Sequence, residues 1–234
     1  MAQDATCSLL LGNIRFANNP RYAAERKDLA HEPCSLIVCC SDARVPPEIV
    51  FDSLQLGTLF VVRTAGHVVQ DNDPGMESIK YAIDHLHPHS IIVMGHEMCG
   101  AVTGIWDSYY GGADTCEELP TICKAIIPSL MADRGKSRAE NITDSIQLNA
   151  ILVARHIDSK LRVQSHPAYY SLTSGKVTWL CQHETARVEY DASEDGDTLV
   201  PARQWRWGLS ADNAKLVMFA LAVILVLILL SRHR

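Results

Sequence analysis

The sequence predicts an α/β fold: a mostly parallel central β-sheet flanked by helices, followed by a single C-terminal transmembrane helix. Three observations carry this. Short apolar runs rich in β-branched residues ("CSLIVCC", "TLFVVR", "SIIVMG") recur along the chain, as strands buried on both faces of a parallel sheet do. Stretches of helical period lie between them. Near the far end, "LVMFALAVILVLILL" (216–230) is fifteen apolar residues without interruption.

The elements follow in order. "SLLLGNIRFANNP" reads as a short amphipathic helix running into a polar loop. "CSLIVCC" is a buried strand, and "PPEIVFDSL" is a helical turn after it. "LGTLFVVRTAG" is a second strand ending in a glycine. In "GMESIKYAIDHLH", Met76, Ile79, Ala82, Ile83 and Leu86 recur at helical spacing. "SIIVMG" is a third strand, and "CGAVTGIW" opens another helix. "NITDSIQLNAILVARHIDSKL" is a long helix with Asn141 or Thr143 as its cap. "PAYYSLTSGKVTWL" is a hairpin turning at Ser174-Gly175, which closes the main domain. Three segments result: a domain over 1–183, an irregular linker over 184–210 and a membrane anchor over 211–234. The linker holds five carboxylates in "EYDASEDGD", then the tryptophan–arginine pairs of "RQWRWG", which suit a membrane interface.

Composition narrows the function. The 234 residues suffice for one well-buried domain, and a net charge of −6 with no basic stripe gives no footprint for nucleic acid. Eight irregularly spaced cysteines do not form a disulfide framework of the small secreted kind. The N-terminal "MAQDATCSLLLGNIRF" lacks the basic start and long apolar stretch of a secretory signal. The expectation is a catalytic domain in the cytosol with mostly reduced thiols, held by a single-pass C-terminal anchor. The Asn141-Ile-Thr143 sequon is then only a polar helix start. The apolar run is apolar all round, which rules out a surface amphipathic helix. Residues 211–231, with Lys215 and Arg232 snorkelling outward, would reach about 31 Å as a helix, matching a hydrocarbon core of ~30 Å. A core helix or an oligomer contact is the alternative.

The chemistry lies at strand ends. If "CSLIVCC" is a strand, Cys40, Asp42 and Arg44 leave its end on one side. The third strand ends in "GHEMCGAV", where His96 and Cys99 stand three apart and can point one way. In open α/β sheets the carboxyl edge is where sites form. Cys40, His96 and Cys99 make a Cys₂His set for one Zn²⁺ per chain, with a fourth position left open as in catalytic zinc sites. Cys39 as a fourth ligand would close the site, but alternation turns it to the opposite face. A lone His-x-x-Cys is weak by itself, since core histidines are common.

"CSDARVPPEIVFDSLQLGTLFVVRTAG", followed by "IIVMGHEMCGAV", resembles the β-class carbonic anhydrase family over about residues 10–183. That resemblance implies reversible hydration of CO₂ to bicarbonate and a proton, by attack of zinc-bound hydroxide. It implies Cys40, His96 and Cys99 as zinc ligands and Asp42 with Arg44 as the orienting dyad. Phe60, Ala65 and Gly100 would border the substrate pocket. It also implies a homodimer or homotetramer, with the N-terminal helix as an arm across the dimer. Two departures stand out: His31 replaces a glutamine common in relatives, and Arg63-Thr64-Ala65-Gly66-His67 replaces Arg-Asn-Ala-Gly-Asn. His31 and His67 are candidate proton shuttles, with ordinary polar loop residues as the alternative. Two rivals keep the metal: hydrolysis of COS or CS₂, and a non-catalytic membrane-anchored protein binding zinc or bicarbonate. The remaining cysteines, Cys7, Cys34, Cys39, Cys116, Cys123 and Cys181, read as small buried apolar side chains.

Overall fold

The first apolar run forms β1 (Ser35–Cys40), every residue of which except Ser35 is buried. In this computed structural model, which describes residues 5–27, 31–180, 187–188, 190–192 and 199–201, β1 lies between two parallel neighbours. They are β2 (Leu59–Thr64) and β3 (Ser90–His96). Beyond β3 come β4 (His166–Tyr170), also parallel, then β5 (Val177–Leu180) and β6 (Arg187–Val188), both antiparallel. The sheet order is therefore β2-β1-β3-β4-β5-β6. From β1 the chain moves outward to β2, then crosses back past β1 to β3. That reversal opens a crevice at the carboxyl ends of β1 and β3.

The pleat sorts the core. Leu36 and Val38 face a cluster with Ile79, Ala150, Ala154 and Ile157, while Cys40, on the same side, joins Val102, Ile126 and Ile146. Ile37, Cys39, Ile92 and Met94 face the other way, against Val50 and Phe51. The first face is covered by α4 (Pro74–Tyr81), α5 (Gly100–Gly111), α7 (Pro120–Ile126) and α8 (Arg138–Leu161). On the second face lies the short α3 (Pro47–Val50). The remaining helices are α1 (Ala5–Ala17), α2 (Pro20–Glu25), within the expected polar loop, and α6 (Thr115–Glu118).

Local chemistry sets the helix ends. Asp73 caps α4 by accepting from Met76 N at 2.7 Å, with Pro74 as the first helical residue. The long helix α8 starts earlier than expected. Its cap is Ser137, whose hydroxyl accepts from Glu140 N while the Glu140 carboxylate accepts from Ser137 N. This reciprocal pair outcompetes Asn141 and Thr143, which lie inside the helix. Asn141 is buried and clamps the preceding loop, accepting from Asp133 N at 2.8 Å and donating to Asp133 O at 3.0 Å. The hairpin turns as expected, with Gly175 at φ +72°.

Two expectations about cysteine need correcting. Cys116 and Cys123 form a disulfide, because α6 and α7 fold back on each other and bring their Cα atoms to 5.2 Å. Cys34 is exposed, at the edge where β1 begins, whereas Cys39 is buried. The sheet also runs past His183: β6 uses the edge of β5, pairing Trp179 with Val188 and Leu180 with Arg187. The chain divides into compact units Met1–Glu189 and Tyr190–Arg234. In the second, β7 (Tyr190–Ala192) and β8 (Leu199–Pro201) pair antiparallel within the stretch expected to be irregular. The anchor expected over 211–234, with Trp205 and Trp207, lies outside the described residues. Among the described residues no helix is long and apolar enough to cross a membrane.

Candidate metal centre

Three buried side chains meet at the crevice. Cys40 ends β1, His96 ends β3 and Cys99 precedes α5, and their ligand atoms all lie within 4.8 Å of one another. The two sulfurs are 4.0 Å apart. Met98, at φ +54°, makes the tight turn between β3 and α5. His96 Nδ1 lies 2.9 Å from Glu97 O and donates to it, which leaves the Nε2 lone pair facing the cluster. That Nε2 is buried and has no hydrogen-bond partner. A buried polar atom without a partner is costly unless something fills the place.

The sulfurs are unequal. The hydrogen bond from Cys99 lowers the pKa of Cys40, helped by His96 and the backbone N–H of Gly66, 3.3 Å from Sγ. The same contact raises Cys99. One proton shared between two sulfurs is the arrangement a thiophilic dication replaces. Softness of the donors and the unpartnered imidazole nitrogen together fit Zn²⁺. Cys39 is no candidate ligand here: burial pushes its thiol up to about 12, on the other face of the sheet.

Asp42 and Arg44 pair beside the cluster. Arg44 donates from Nε to Oδ1 at 3.0 Å, from Nη2 to Oδ2 at 2.7 Å and from its backbone N to Oδ1 at 2.9 Å. Those bonds hold the Asp42 carboxyl well below the usual carboxylate range. Asp42 Oδ2 stands 4.0 Å from His96 Nε2, so the carboxylate lies against the Cys40–His96–Cys99 cluster. Arg44 Nη2 also donates to Met98 O at 3.2 Å, tying the dyad to the His96–Cys99 turn.

The other sequence candidates divide. Ala65 and Gly100 adjoin the cluster, one directly after β2 and the other directly after Cys99, and both are exposed. Phe60 pairs with Leu36, four residues short of the β2 end, which is roughly 13 Å along a strand. His31 is exposed beside it, with ring centroids 6.1 Å apart. This chain alone therefore does not bring Phe60 or His31 to the metal centre. His67 is fully buried, burial pushes its pKa down to about 4, and its Nε2 accepts from Asn149 Nδ2 at 3.0 Å. A relay needs a group that exchanges protons near neutral pH with solvent in reach, and His67 has neither property here.

Sequence reading passed over three residues that shape the centre. Arg63 Nε donates to Cys40 O at 3.0 Å and Arg63 Nη2 to Asp42 O at 2.5 Å, fixing the strand end that carries both. Its signal was a lone cation ending an apolar strand. Gly66, at φ +67°, brings its N–H to Cys40, and a Cβ there would stand 2.9 Å from Ile126 Cδ1. Asn149 donates to Gly66 O at 2.9 Å from 83 residues away, a contact no local pattern announces.

An open, largely parallel sheet with a Cys₂His cluster and an Asp–Arg pair at its switch point defines an α/β protein whose buried cluster could hold a metal ion. The carbonic anhydrase family model matches residues 35–177. Carbonic anhydrase 2 of Mycobacterium tuberculosis is 35% identical over 155 residues, 62% of this chain and 73% of the relative. Carbonic anhydrase of Pseudomonas aeruginosa is 28% identical over 190 residues, 76% and 84% of the two chains. Among solved structures, the β-carbonic anhydrase CcaA superposes with a TM-score of 0.65 at 23% identity, covering 78% of this chain and 98% of that one. One of two tetrameric β-carbonic anhydrases from Sordaria macrospora gives 0.57 at 21%, covering 75% and 93%. This chain belongs to the β-class carbonic anhydrase family.

Proposed function

We propose that this chain hydrates CO₂ reversibly at a Zn²⁺ held by Cys40, His96 and Cys99. When bound there, Zn²⁺ would supply the Lewis acidity that makes water nucleophilic near neutral pH. Asp42 accepts a hydrogen bond from the attacking water and aims its lone pair at the carbon of CO₂. Arg44 keeps that carboxylate ionised and turned away from the fourth ligand position. Gly66 N–H and the Arg63 guanidinium hold Cys40 and Asp42 in register. The observation that carries the reading is the doubly bonded Asp42–Arg44 pair, 4.0 Å from the unpartnered Nε2 of His96. A pure binding site would have little use for a carboxylate fixed beside the open position.

The test is stopped-flow hydration by the purified chain, with zinc counted per protein and COS offered in parallel. CO₂ turnover that disappears with the metal, in Cys40→Ala and His96→Ala, supports the assignment. Turnover of COS alone would replace it with the hydrolase reading, and zinc binding without either activity would favour a binding protein.

The same reading extends to assembly and placement. α1 leaves Leu9, Leu10, Leu11 and Ile14 exposed, an apolar face suited to covering by a second copy in a homodimer or homotetramer. Phe60 and His31 bear on a pocket only if a second copy brings them there. The segment 211–234 anchors the catalytic domain on the cytosolic side of a membrane, beside a barrier that CO₂ crosses and bicarbonate does not.

A further inference from the structure

Glu97 sits between two of the ligands and is fixed on both sides. Its backbone N–H donates to Tyr170 O at 2.8 Å, carrying the β3–β4 ladder one residue past His96. Its carbonyl accepts from His96 Nδ1. Its carboxylate reaches to the turn of the β4–β5 hairpin. There Oε2 accepts from Ser171 Oγ and Thr173 N, and Oε1 from Thr173 Oγ1, all at 2.8 Å. The hairpin is itself braced, with Ser171 Oγ accepting from Ser174 N and Ser171 O accepting from Gly175 N.

We propose that Glu97 is a positioning residue of the metal centre, its carboxylate pinning the His96–Cys99 turn to the β4–β5 hairpin so that three ligand atoms converge. The physical reason is where the turn sits. At Glu97 the chain leaves the sheet, and Met98 then takes a left-handed conformation to deliver Cys99. The last bond of the β3–β4 ladder is the one from Glu97 N–H to Tyr170 O, and the ladder does not hold the chain beyond it. The carboxylate supplies the restraint, and it acts on the carbonyl that fixes the imidazole ring and its tautomer. Groups that hold a ligand in this way tune metal affinity without touching the metal. The turn also carries the Met98 carbonyl that holds Arg44, so the dyad rests on the same pin.

This rests on the zinc reading above, and the experiment separates the two. Zinc release from the full chain to a chromophoric chelator is measured, along with the visible spectrum of the Co²⁺-loaded protein. Glu97→Ala should release zinc about 10- to 100-fold faster than the parent and perturb the Co²⁺ bands. Glu97→Gln, which keeps Oε1, should fall between. Ser171→Ala/Thr173→Ala, which removes the hydroxyl donors from the other side, should reproduce the direction even if Glu97→Ala fails to fold. Arg21→Ala breaks the exposed Arg21–Glu25 pair of α2, an element that carries no residue of the cluster, and should release zinc at the parent rate, separating general loosening from this effect. A parent chain that holds no zinc would overturn the zinc reading. A parent that holds zinc, with Ser171→Ala/Thr173→Ala and every folded Glu97 variant releasing it equally slowly, would overturn the role of Glu97 alone.

Discussion

Asp42 and His67 are two titratable residues beside one cluster, and their surroundings move both pKa values down for different reasons. Arg44 lowers Asp42 by bonding its charged form, so the pair is complete above the ordinary carboxylate value of about 4 and is lost only as pH falls through the depressed folded value. Asp42 is therefore ionised throughout pH 5 to 9. The rise in hydration rate across pH 6.5 to 9 should report the water, and Asp42→Asn should lower the plateau about 100-fold while leaving zinc in place. A rising limb that vanished in Asp42→Asn would show the carboxylate itself titrating. His67 is lowered to about 4 by burial, which penalises its charged form. Its stabilising contribution is complete above about 6.5 and is lost as pH falls toward 4, because the unfolded chain then binds a proton that the folded chain refuses. The folding equilibrium should lose up to roughly tenfold per pH unit in that window, and His67→Asn should flatten the slope in urea titrations at pH 5, 6 and 7. Cys40, His96 and Cys99 were legible because strand alternation and a three-residue spacing put ligand types on one side. Gly66 and Asn149 were not, since their roles exist only once α8 meets the turn after β2.

At the scale of elements, β1 to β5 and the turn α3 were legible, whereas β6 to β8 and the short helices α2, α6 and α7 were not. Continuous apolar runs of six or seven residues have few other places to go than a doubly covered sheet, whereas α6 and α7 span four and seven residues, too few turns for an apolar period to repeat visibly. The α8 start was readable: Ser137 and Glu140 stand three apart ahead of an apolar run, and their reciprocal bonds outrank a lone Asn or Thr. Ser137→Ala should cost about 1 kcal/mol in denaturant unfolding and leave zinc content unchanged. The disulfide could not be read, because neither cysteine marks itself as paired until the Leu119-Pro120 corner folds α7 against α6. It closes a loop seven residues apart in sequence, for which chain entropy gives about 2–3 kcal/mol. The consequence reaches the centre, since Ile126 of α7 packs over Gly66, whose N–H bonds Cys40. Cys116→Ser should therefore lower stability by that amount, and it should also speed zinc release. A destabilised variant whose zinc release matched the parent would confine the disulfide to a structural role.

For the whole molecule, one topological fact organises the rest: β1 lies between β2 and β3, so Cys40 and His96 arrive at adjacent strand ends from 56 residues apart. Among the described residues, Cys40, His96, Cys99 and the hydrogen bonds around them all lie before residue 181. The proposed anchor can be tested by itself. Its run over 216–230 carries no charge, Lys215 and Arg232 bracket it, and Trp205 and Trp207 precede it, the pattern of a span with interfacial anchors. Five carboxylates over 189–197 would hold the domain off an anionic surface rather than draw it down. The full chain should therefore stay with membranes through alkaline carbonate extraction, and salt should not release it, since the attachment is apolar. Protease added from the cytosolic side should digest the catalytic domain. A chain ending at Ser210 should be soluble, hold one zinc and turn over CO₂ at the rate of the full chain in detergent. If that truncated chain aggregates or loses zinc, the apolar run belongs to the core or to a contact between copies, and the anchor reading fails.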